Sequence, residues 1–208
     1  MSTRPGVRRE RPSAADLPRP AARGGPPREV RLIGGDWKRS KLPVADKPGL
    51  RPTPDRVRET LFNWLGQDLS GWRVLDAFAG SGALGFEAAS RGAAEVLLLE
   101  RDAGLVRSLR ASQARLKAEH LRVEAADAIA WMVRCAPARF ELVLLDPPFD
   151  ADLQPAALAA AAPLVAEGGC LYLESPAALA EAGLPPGFAL SRQGRAGTVH
   201  YHLLRRNS

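Results

Sequence analysis

The stretch Arg73-Val-Leu-Asp-Ala-Phe-Ala-Gly80-Ser-Gly-Ala-Leu-Gly85 indicates a buried strand, a glycine-rich turn and a helix. Its start, Arg73–Ala77, is a short apolar run typical of a strand buried on both faces. Gly80, Gly82 and Gly85 fit the spacing G-x-G-x-x-G, which in nucleotide-binding folds brings a ligand close to a helix N-terminus. Taken alone, this glycine spacing is a weak signal.

Strand and helix patterns alternate regularly from this turn onward. Further strands are predicted at 95–100, 121–124, 140–145 and 170–174, with helices near 102–118, 127–135 and 152–166, and a last hairpin at 187–193 and 198–205. Repeated β-α-β units predict a doubly wound, Rossmann-like α/β fold with a mainly parallel seven-stranded sheet and an antiparallel edge hairpin. Upstream, Val30–Gly35 predicts a short strand, and Thr53 is expected to cap a helix that begins at Pro54.

Length and composition set limits on the class of protein. The 208 residues suffice for one α/β domain plus a tail. No run of 18 apolar residues predicts a membrane span, and the N-terminus lacks the apolar stretch of a secretory signal. Cys135 and Cys170 are too few for a disulfide framework or a four-ligand zinc site. We therefore expect a soluble, cytoplasmic protein with no metal centre and no membrane partner, and we expect a monomer.

Positive charge is concentrated at the front of the chain. The net charge of +6 divides into +5 for residues 1–28, +3 for residues 29–60 and −2 for the rest. Residues 1–28 are rich in Arg and Pro, which predicts a disordered tail ahead of a domain at 29–208. A basic leading segment beside a neutral body favours a polyanionic partner such as nucleic acid, although a tail that merely aids solubility fits the charge equally well.

Two acidic residues next to the glycine turn favour S-adenosylmethionine over a dinucleotide. Asp76 ends the first strand, where a carboxylate can bind an ammonium group but repels a pyrophosphate. Glu100 ends the next strand and can accept hydrogen bonds from a ribose diol, as it could from NAD. Asp127 is a weaker candidate for contacting the adenine. The alternatives are a turn-forming Asp76, a solvated Glu100 and an Asp127 that only caps a helix.

The turn Asp146-Pro147-Pro148-Phe149 follows an apolar strand, so it lies at the sheet edge where such folds bind ligands. Two prolines make a stiff backbone without N–H donors, leaving the Asp146 carboxylate and the Pro147 carbonyl as acceptors. An exocyclic amine of a nucleobase matches these acceptors, and the Phe149 ring can stack on an unstacked base. The alternative is a rigid turn without a catalytic role.

Several further motifs resemble the RsmD family, bacterial methyltransferases that modify the N2 amine of a guanine in 16S ribosomal RNA. The resemblance covers nearly all of residues 30–205. Its most specific part is the helix motif 55–65; the other parts are Arg31-Leu-Ile-Gly-Gly35, Trp37, Lys41-Leu-Pro43, Gly49-Leu-Arg-Pro-Thr53, Phe78–Gly85 and Asp146–Phe149. The family usually has Trp-Arg-Gly-Arg-Lys-Leu, whereas Trp37 here is followed by Lys-Arg-Ser-Lys-Leu, so the N-terminal hairpin lacks the family's glycine but keeps its positive charge.

This resemblance implies a class I S-adenosylmethionine-dependent methyltransferase with a short N-terminal hairpin and an RNA-facing extension over residues 29–70. It implies that Asp146, Pro147, Pro148 and Phe149 form the target-base site. The cofactor pocket is expected to comprise Asp76, Phe78, Gly80, Gly82, Glu100 and Asp127. Phosphate-directed charge is expected from Lys38, Arg39, Lys41, Arg51, Arg56 and Arg58.

The expected activity is methyl transfer from S-adenosylmethionine to guanine N2 of 16S rRNA, on naked RNA or within the assembled small subunit. Asp-Pro-Pro-Phe also occurs in adenine-N6 enzymes, so an adenine- or DNA-directed amino methyltransferase remains an alternative. A non-catalytic module that binds S-adenosylmethionine and RNA is the alternative from a different class.

Overall fold

The described residues of this computed structural model, 29–45, 53–149 and 152–207, form a seven-stranded sheet with helices on both faces and a separate hairpin. The strands are β1 (Glu29–Arg31), β2 (Lys41–Pro43), β3 (Arg73–Asp76), β4 (Glu95–Glu100), β5 (Leu121–Ala125), β6 (Phe140–Leu145), β7 (Val165–Ser175), β8 (Phe188–Ala196) and β9 (Val199–Arg206). The helices are α1 (Asp55–Leu65), α2 (Ala83–Ser90), α3 (Ala103–Leu116), α4 (Ala128–Arg134) and α5 (Gln154–Ala161). The predicted tail, 1–28, lies outside the described residues.

The main sheet has the order β5-β4-β3-β6-β7-β9-β8. Strands β3 to β7 pair in parallel, whereas β9 runs antiparallel to both β7 and β8. Strand β9 therefore lies inside the sheet, and β8 reaches the sheet only through β9. The strand order turns back on itself between β3 and β6, which is the point where doubly wound sheets bind ligands. The prediction of a mainly parallel seven-stranded sheet with an antiparallel edge is confirmed.

Alternating side chains of the strands divide the core into two layers. One layer includes Val74 of β3 with apolar residues of α1, α2 and α3, such as Phe62, Phe86 and Leu109. The other includes Leu75 with residues of α4 and α5. Both faces of the parallel strands are thus covered, as their near-continuous apolar sequences require.

The hairpin β1–β2 packs against α2 through hydrogen bonds to buried polar groups. The Glu87 carboxylate accepts the backbone N–H groups of Ile33 and Gly34, both at 2.8 Å. The Ser90 carbonyl accepts the N–H of Asp36 at 2.8 Å. These contacts fix the hairpin to the first helix after the glycine turn.

The departure from the family's hairpin sequence leaves the turn formed. Arg39 stands where the family usually has glycine, and it adopts a left-handed conformation with φ of +72°. Its N–H donates to the Leu32 carbonyl at 2.9 Å, and the Trp37 ring stacks on His120 with ring centroids 5.7 Å apart. The hairpin thus keeps its turn at the cost of a conformation that glycine adopts more easily.

Several local predictions are corrected. Thr53 does not cap α1: Pro54 occupies the cap position, and no side chain caps this helix. The Ala-rich helix is shorter than expected, because Pro163 lies in a 3-10 turn at Ala162–Leu164 and β7 begins directly at Val165. The Gly168-Gly169 pair, expected as a helix stop, lies within β7 near an irregularity in its pairing with β6.

Other predictions hold. Asp102 caps α3 by accepting the N–H of Leu105, and Gly92 follows α2 with φ of +90°. Within the described part of the chain, no helix combines the length and apolar character needed to cross a membrane.

Candidate active site

Four carboxylates stand at the carboxyl ends of neighbouring strands. Asp76, Glu100 and Asp146 follow or end β3, β4 and β6, and Glu174 lies near the end of β7. Pairing of Leu145 with Leu173 makes Asp146 and Glu174 neighbours at this edge, and Asp76 pairs with Leu144. The parallel topology thus brings together three predicted site residues and one, Glu174, that the sequence analysis missed.

The glycine turn holds Asp76 against the start of α2. One Asp76 oxygen accepts the Gly85 N–H at 2.9 Å. A Cβ on Gly85 would lie 2.1 Å from the Leu98 side chain, so this third glycine allows helix and sheet to approach closely. Gly80 and Gly82 both have positive φ, +52° and +80°. Gly80 and Gly82 therefore shape the turn and Gly85 lets α2 approach the sheet, while contact of the turn with a ligand stays a prediction.

Glu100 closes the other side of this turn. Its two oxygens accept the N–H groups of Gly80 at 3.0 Å and Asp102 at 2.8 Å. Phe78 is half-buried in the same turn, whereas Asp127 is exposed and caps α4 by accepting the N–H of Ala130. The cap is a role that the structure shows for Asp127; its contact with an adenine stays a prediction.

Burial makes this edge of the sheet electrostatically unusual. Desolvation raises the pKa of the Asp76 carboxyl to about 7, against the lowering effect of its backbone hydrogen bond to Gly85. Desolvation, followed by the charges of Glu174 and Asp76, raises the pKa of Asp146 well above its usual range. Desolvation also raises the pKa of Glu174. A cationic ligand would stabilise the ionised forms of these groups.

The Asp-Pro-Pro-Phe turn presents its residues in different environments. Asp146 is partly exposed, Pro147 is buried, Pro148 is exposed and Phe149 is half-buried. The Thr53 hydroxyl lies 3.4 Å from Asp146 Oδ2, although 93 residues separate them in sequence. This arrangement places an acceptor carboxylate and a half-buried aromatic ring at the sheet edge beside the glycine turn.

Thr53, Tyr172 and Glu174 were not predicted as site residues. The Tyr172 hydroxyl donates to Glu174 Oε1 at 2.9 Å, and both side chains are buried. Glu174 could have been predicted from the sequence, because it is an acidic residue near a strand end, and the same reasoning selected Asp76 and Glu100. The contact of Thr53 carries no local signal, because it depends on how α1 packs against the sheet.

The predicted RNA-directed residues divide into three groups. Lys38, Arg39, Lys41 and Arg56 are exposed. Arg51 lies outside the described residues. The prediction that Arg58 contacts RNA is wrong. Its side chain is fully buried and bonded to Glu87, Asp55 and two backbone carbonyls, so its charge is not available to a phosphate.

Two histidines, His200 and His202, lie on one face of β9. The His202 side chain is buried, and its Nε2 accepts the Leu179 N–H at 3.0 Å. Its ring stacks on His200 with centroids 6.4 Å apart. No group of three or more His, Cys, Asp or Glu residues suited to a metal ion occurs in the described ranges.

A mainly parallel sheet of this strand order, with a glycine turn between acidic strand ends and an Asp-Pro-Pro-Phe turn beside it, defines a Rossmann-like methyltransferase. The chain belongs to the family described as Conserved hypothetical protein 95, which matches residues 30–205. It is 41% identical over 182 residues to Ribosomal RNA small subunit methyltransferase D of Escherichia coli K12, covering 86% of this chain and 91% of that protein. The resemblance to the RsmD family is thereby confirmed.

Other relatives agree. The protein of the same name from Haemophilus influenzae is 44% identical over 128 residues, which cover 60% of this chain and 66% of the relative. The solved structure of yhhF from Escherichia coli superposes with a TM-score of 0.76 at 39% identity, covering 86% of this chain and 99% of that one. That of HI0767 from Haemophilus influenzae gives a TM-score of 0.73 at 32% identity, covering 86% and 99%.

Proposed function

We propose that this protein transfers a methyl group from S-adenosylmethionine to the exocyclic N2 amine of a guanine in 16S rRNA of the small ribosomal subunit. The observation that carries the proposal is the position of Asp146–Phe149 at the switch point of the sheet, beside the buried carboxylate of Asp76. The names of the relatives support rRNA as the substrate. The guanine N2 target follows from the resemblance described above.

The residues of the glycine turn fit the cofactor. S-adenosylmethionine carries positive charge on its ammonium and sulfonium groups, which suits an edge where Asp76, Asp146 and Glu174 are desolvated. Asp76 would hold the ammonium group, and Glu100 would bind the ribose diol beside the turn formed by Gly80 and Gly82. When bound, the cofactor supplies an activated methyl group, so the reaction requires no metal ion.

The Asp-Pro-Pro-Phe turn would position the target amine of the guanine. The lone pair of a guanine N2 amine is delocalised into the ring, which makes it a weak nucleophile. The Asp146 carboxylate and the Pro147 carbonyl would accept hydrogen bonds from the two N–H groups of the amine. These bonds would hold the nitrogen in a reactive orientation. Phe149 would stack on the base, which must be unstacked to enter.

The acidic character of the site favours guanine over adenine. Guanine presents its N1–H and N2 amine donors side by side, whereas adenine presents an N1 acceptor next to its amine. Asp146 offers acceptor oxygens when ionised, and the Pro147 carbonyl is a second acceptor. Lys38, Arg39 and Arg56 supply exposed positive charge for the RNA backbone, and Lys41, also exposed, pairs with Glu29 at 2.7 Å.

The proposal is tested by product identification. Purified protein is incubated with labelled S-adenosylmethionine and small subunits from cells lacking this gene, and the digested nucleosides are identified by mass spectrometry. We expect N2-methylguanosine. N6-methyladenosine would replace the proposed target with adenine. A protein that binds S-adenosylhomocysteine in calorimetry but methylates neither subunits, naked RNA nor DNA would be a binding module.

An Asp146→Ala variant tests the mechanism within this assay. We expect turnover to fall at least about 100-fold, because the amine loses its oriented acceptor, while affinity for S-adenosylhomocysteine changes little. The matched control is Asp68→Ala, which removes an exposed carboxylate from the loop before β3. Near-normal turnover of Asp146→Ala would contradict the mechanism.

A further inference from the structure

Thr53 links the entrance of α1 to the two carboxylates of the proposed base site. Thr53 is only 5% exposed, and its hydroxyl lies 3.4 Å from Asp146 Oδ2. The same hydroxyl lies near enough to the Glu174 carboxyl to lower its pKa. Such bonds are often long before substrate binds and shorten in the complex. Thr53 therefore contacts the residue that we propose positions the target amine.

Helix capping does not explain the Thr53 side chain. A threonine ahead of a helix ordinarily caps it, but α1 has no side-chain cap and Pro54 occupies that position. The hydroxyl is directed across the core to β6 and β7 instead. The hydroxyl of Thr53 therefore serves to interact with the carboxyl groups of Asp146 and Glu174.

A buried arginine fixes the backbone of Thr53. The Thr53 carbonyl accepts the Nε–H of Arg58 at 3.3 Å. The remaining donors of this guanidinium bind Glu87 at 3.2 Å, Asp55 at 2.7 Å and the Arg31 carbonyl at 2.8 Å. Because Arg58 is fully buried and its planar guanidinium presents its donors in a rigid geometry, Thr53 is held against α2 and the N-terminal hairpin.

The charges around Asp146 explain why a hydroxyl is useful there. The charges of Glu174 and Asp76 both disfavour the ionised form of Asp146. Glu174 in turn accepts a hydrogen bond from the Tyr172 hydroxyl. The hydrogen bond from Thr53 acts in the opposite direction and lowers the pKa of Asp146. The Thr53 hydroxyl has one proton, and the hydrogen bond to Oδ2 of Asp146 uses it.

We propose that Thr53 is a positioning residue: its hydroxyl holds Oδ2 of Asp146 and leaves Oδ1 free to accept an N–H of the target amine. This inference rests on the proposed methyl transfer. The chain of contacts from Glu87 through Arg58 and Thr53 to Asp146 then connects the hairpin that faces RNA with the reacting group. Thr53 acts through Asp146 and does not itself touch the base.

The test compares Thr53→Val, which keeps the shape but removes the hydroxyl, with Thr53→Ser, which keeps the hydroxyl. We expect Thr53→Val to lower kcat about 10- to 100-fold, because a misplaced acceptor weakens orientation, and Thr53→Ser to stay within about threefold of the wild type. Affinity for S-adenosylhomocysteine should stay unchanged in both. The matched control is Thr60→Val on α1, whose hydroxyl donates locally to the Arg56 carbonyl at 2.8 Å.

A second readout needs no turnover. The titration of the Asp146 carboxyl carbon is followed by NMR in the ligand-free protein and assigned with Asp146→Asn. Removal of the hydroxyl in Thr53→Val should raise the pKa of Asp146, and Thr53→Ser should restore it. In the pH profile of kcat, the acid limb of Thr53→Val should move to higher pH.

Two results would overturn the inference. One is a Thr53→Val protein with wild-type kcat and an unchanged Asp146 titration. The other is an equal loss of kcat, melting temperature and ligand affinity in both the Val and Ser variants, which would indicate a purely structural residue. If the wild-type protein methylates nothing, the proposed function fails, and the Asp146 titration still decides whether Thr53 controls this carboxylate.

Discussion

Asp76 is a buried carboxyl group whose backbone hydrogen bonds do not offset its loss of solvent. Its pKa rises from 3.8 to about 7, mainly through desolvation. The residue at the strand end that suits a cationic ligand is therefore also a source of instability when no ligand neutralises it. Active-site residues often carry such strain, because their environment serves binding and not stability.

This raised pKa predicts how stability depends on pH. Between pH 4 and 7 the folded protein keeps a proton on Asp76 that the unfolded chain has released, so the free energy of unfolding falls as pH rises through this window. Each pKa unit corresponds to about 1.4 kcal/mol. In Asp76→Asn the fall should be smaller, as measured by urea unfolding from pH 5 to 8.

Asp68→Asn is the control for this experiment. Asp68 is exposed, and hydrogen bonds from Ser70 lower its pKa. This control should keep the wild-type decline between pH 5 and 7. Asp146 and Glu174, whose pKa values are also raised, leave a residual decline in Asp76→Asn. A wild-type decline in Asp76→Asn would contradict the assigned ionisation.

Arg39 is a second residue with a conformational cost. Because its φ of +72° is unfavourable for a side chain with a Cβ atom, Arg39→Gly should raise the free energy of unfolding by about 1 kcal/mol. Lys38→Gly, one residue earlier and outside the left-handed region, should lower it by a similar amount, because glycine gains freedom in the unfolded chain. Denaturant titration of both variants distinguishes relief of strain from a general effect of glycine.

At the scale of elements, the hairpin and α2 meet too closely for any side chain at Gly35. A Cβ at this position would lie 1.6 Å from the Ser90 carbonyl oxygen, a backbone atom that cannot move away without displacing α2. We expect Gly35→Ala to lower the free energy of unfolding by about 3 kcal/mol or more, from backbone strain and overpacking together.

Gly168→Ala is the matched control for Gly35→Ala. Gly168 has almost the same φ, +69° against +71°, but among the described residues no atom lies within 4 Å of the position that a Cβ atom would take there. This variant should show only the conformational cost, about 1 kcal/mol. Equal losses in the two variants, measured by denaturant titration, would mean that the close approach to α2 contributes nothing.

The elements also show what sequence reasoning can and cannot reach. The bounds of β6 and β4 and the cap at Asp102 follow from local patterns, because apolar runs and capping residues act within a few positions. Arg58 was expected at the surface, since nothing local indicates that Glu87, 29 residues later, pairs with it in the core. Thr53 and Glu174 were missed as site residues because their role depends on strand order and on the packing of α1.

At the scale of the whole molecule, the charge on the proposed RNA face is smaller than the sequence suggested. Arg58 is buried in ion pairs, and Lys41 pairs with Glu29 at 2.7 Å. Lys38, Arg39 and Arg56 remain as exposed cations of the extension. Binding to a phosphate backbone should depend mainly on these three among the predicted residues that the structure describes.

The salt dependence of RNA binding tests this division. Replacing Lys38, Arg39 and Arg56 together with Gln should weaken binding to small subunits and reduce the slope of log K against log salt by about 2, since each phosphate contact contributes about 0.7 on single strands. Lys41→Gln should change the slope less, because Glu29 already neutralises this charge. Binding assays at several salt concentrations measure both, and an unchanged slope in the triple variant would place the RNA contacts elsewhere.

The position of β9 has a consequence for the order in which the molecule assembles during synthesis. Strand β9 is made after β8, yet it lies between β7 and β8 in the sheet. Until β9 has been synthesised, the apolar strand β7 has an open edge that can pair with another chain. A nascent chain that stalls within β8 would therefore be prone to aggregation, whereas one that has completed Arg206 can close the sheet.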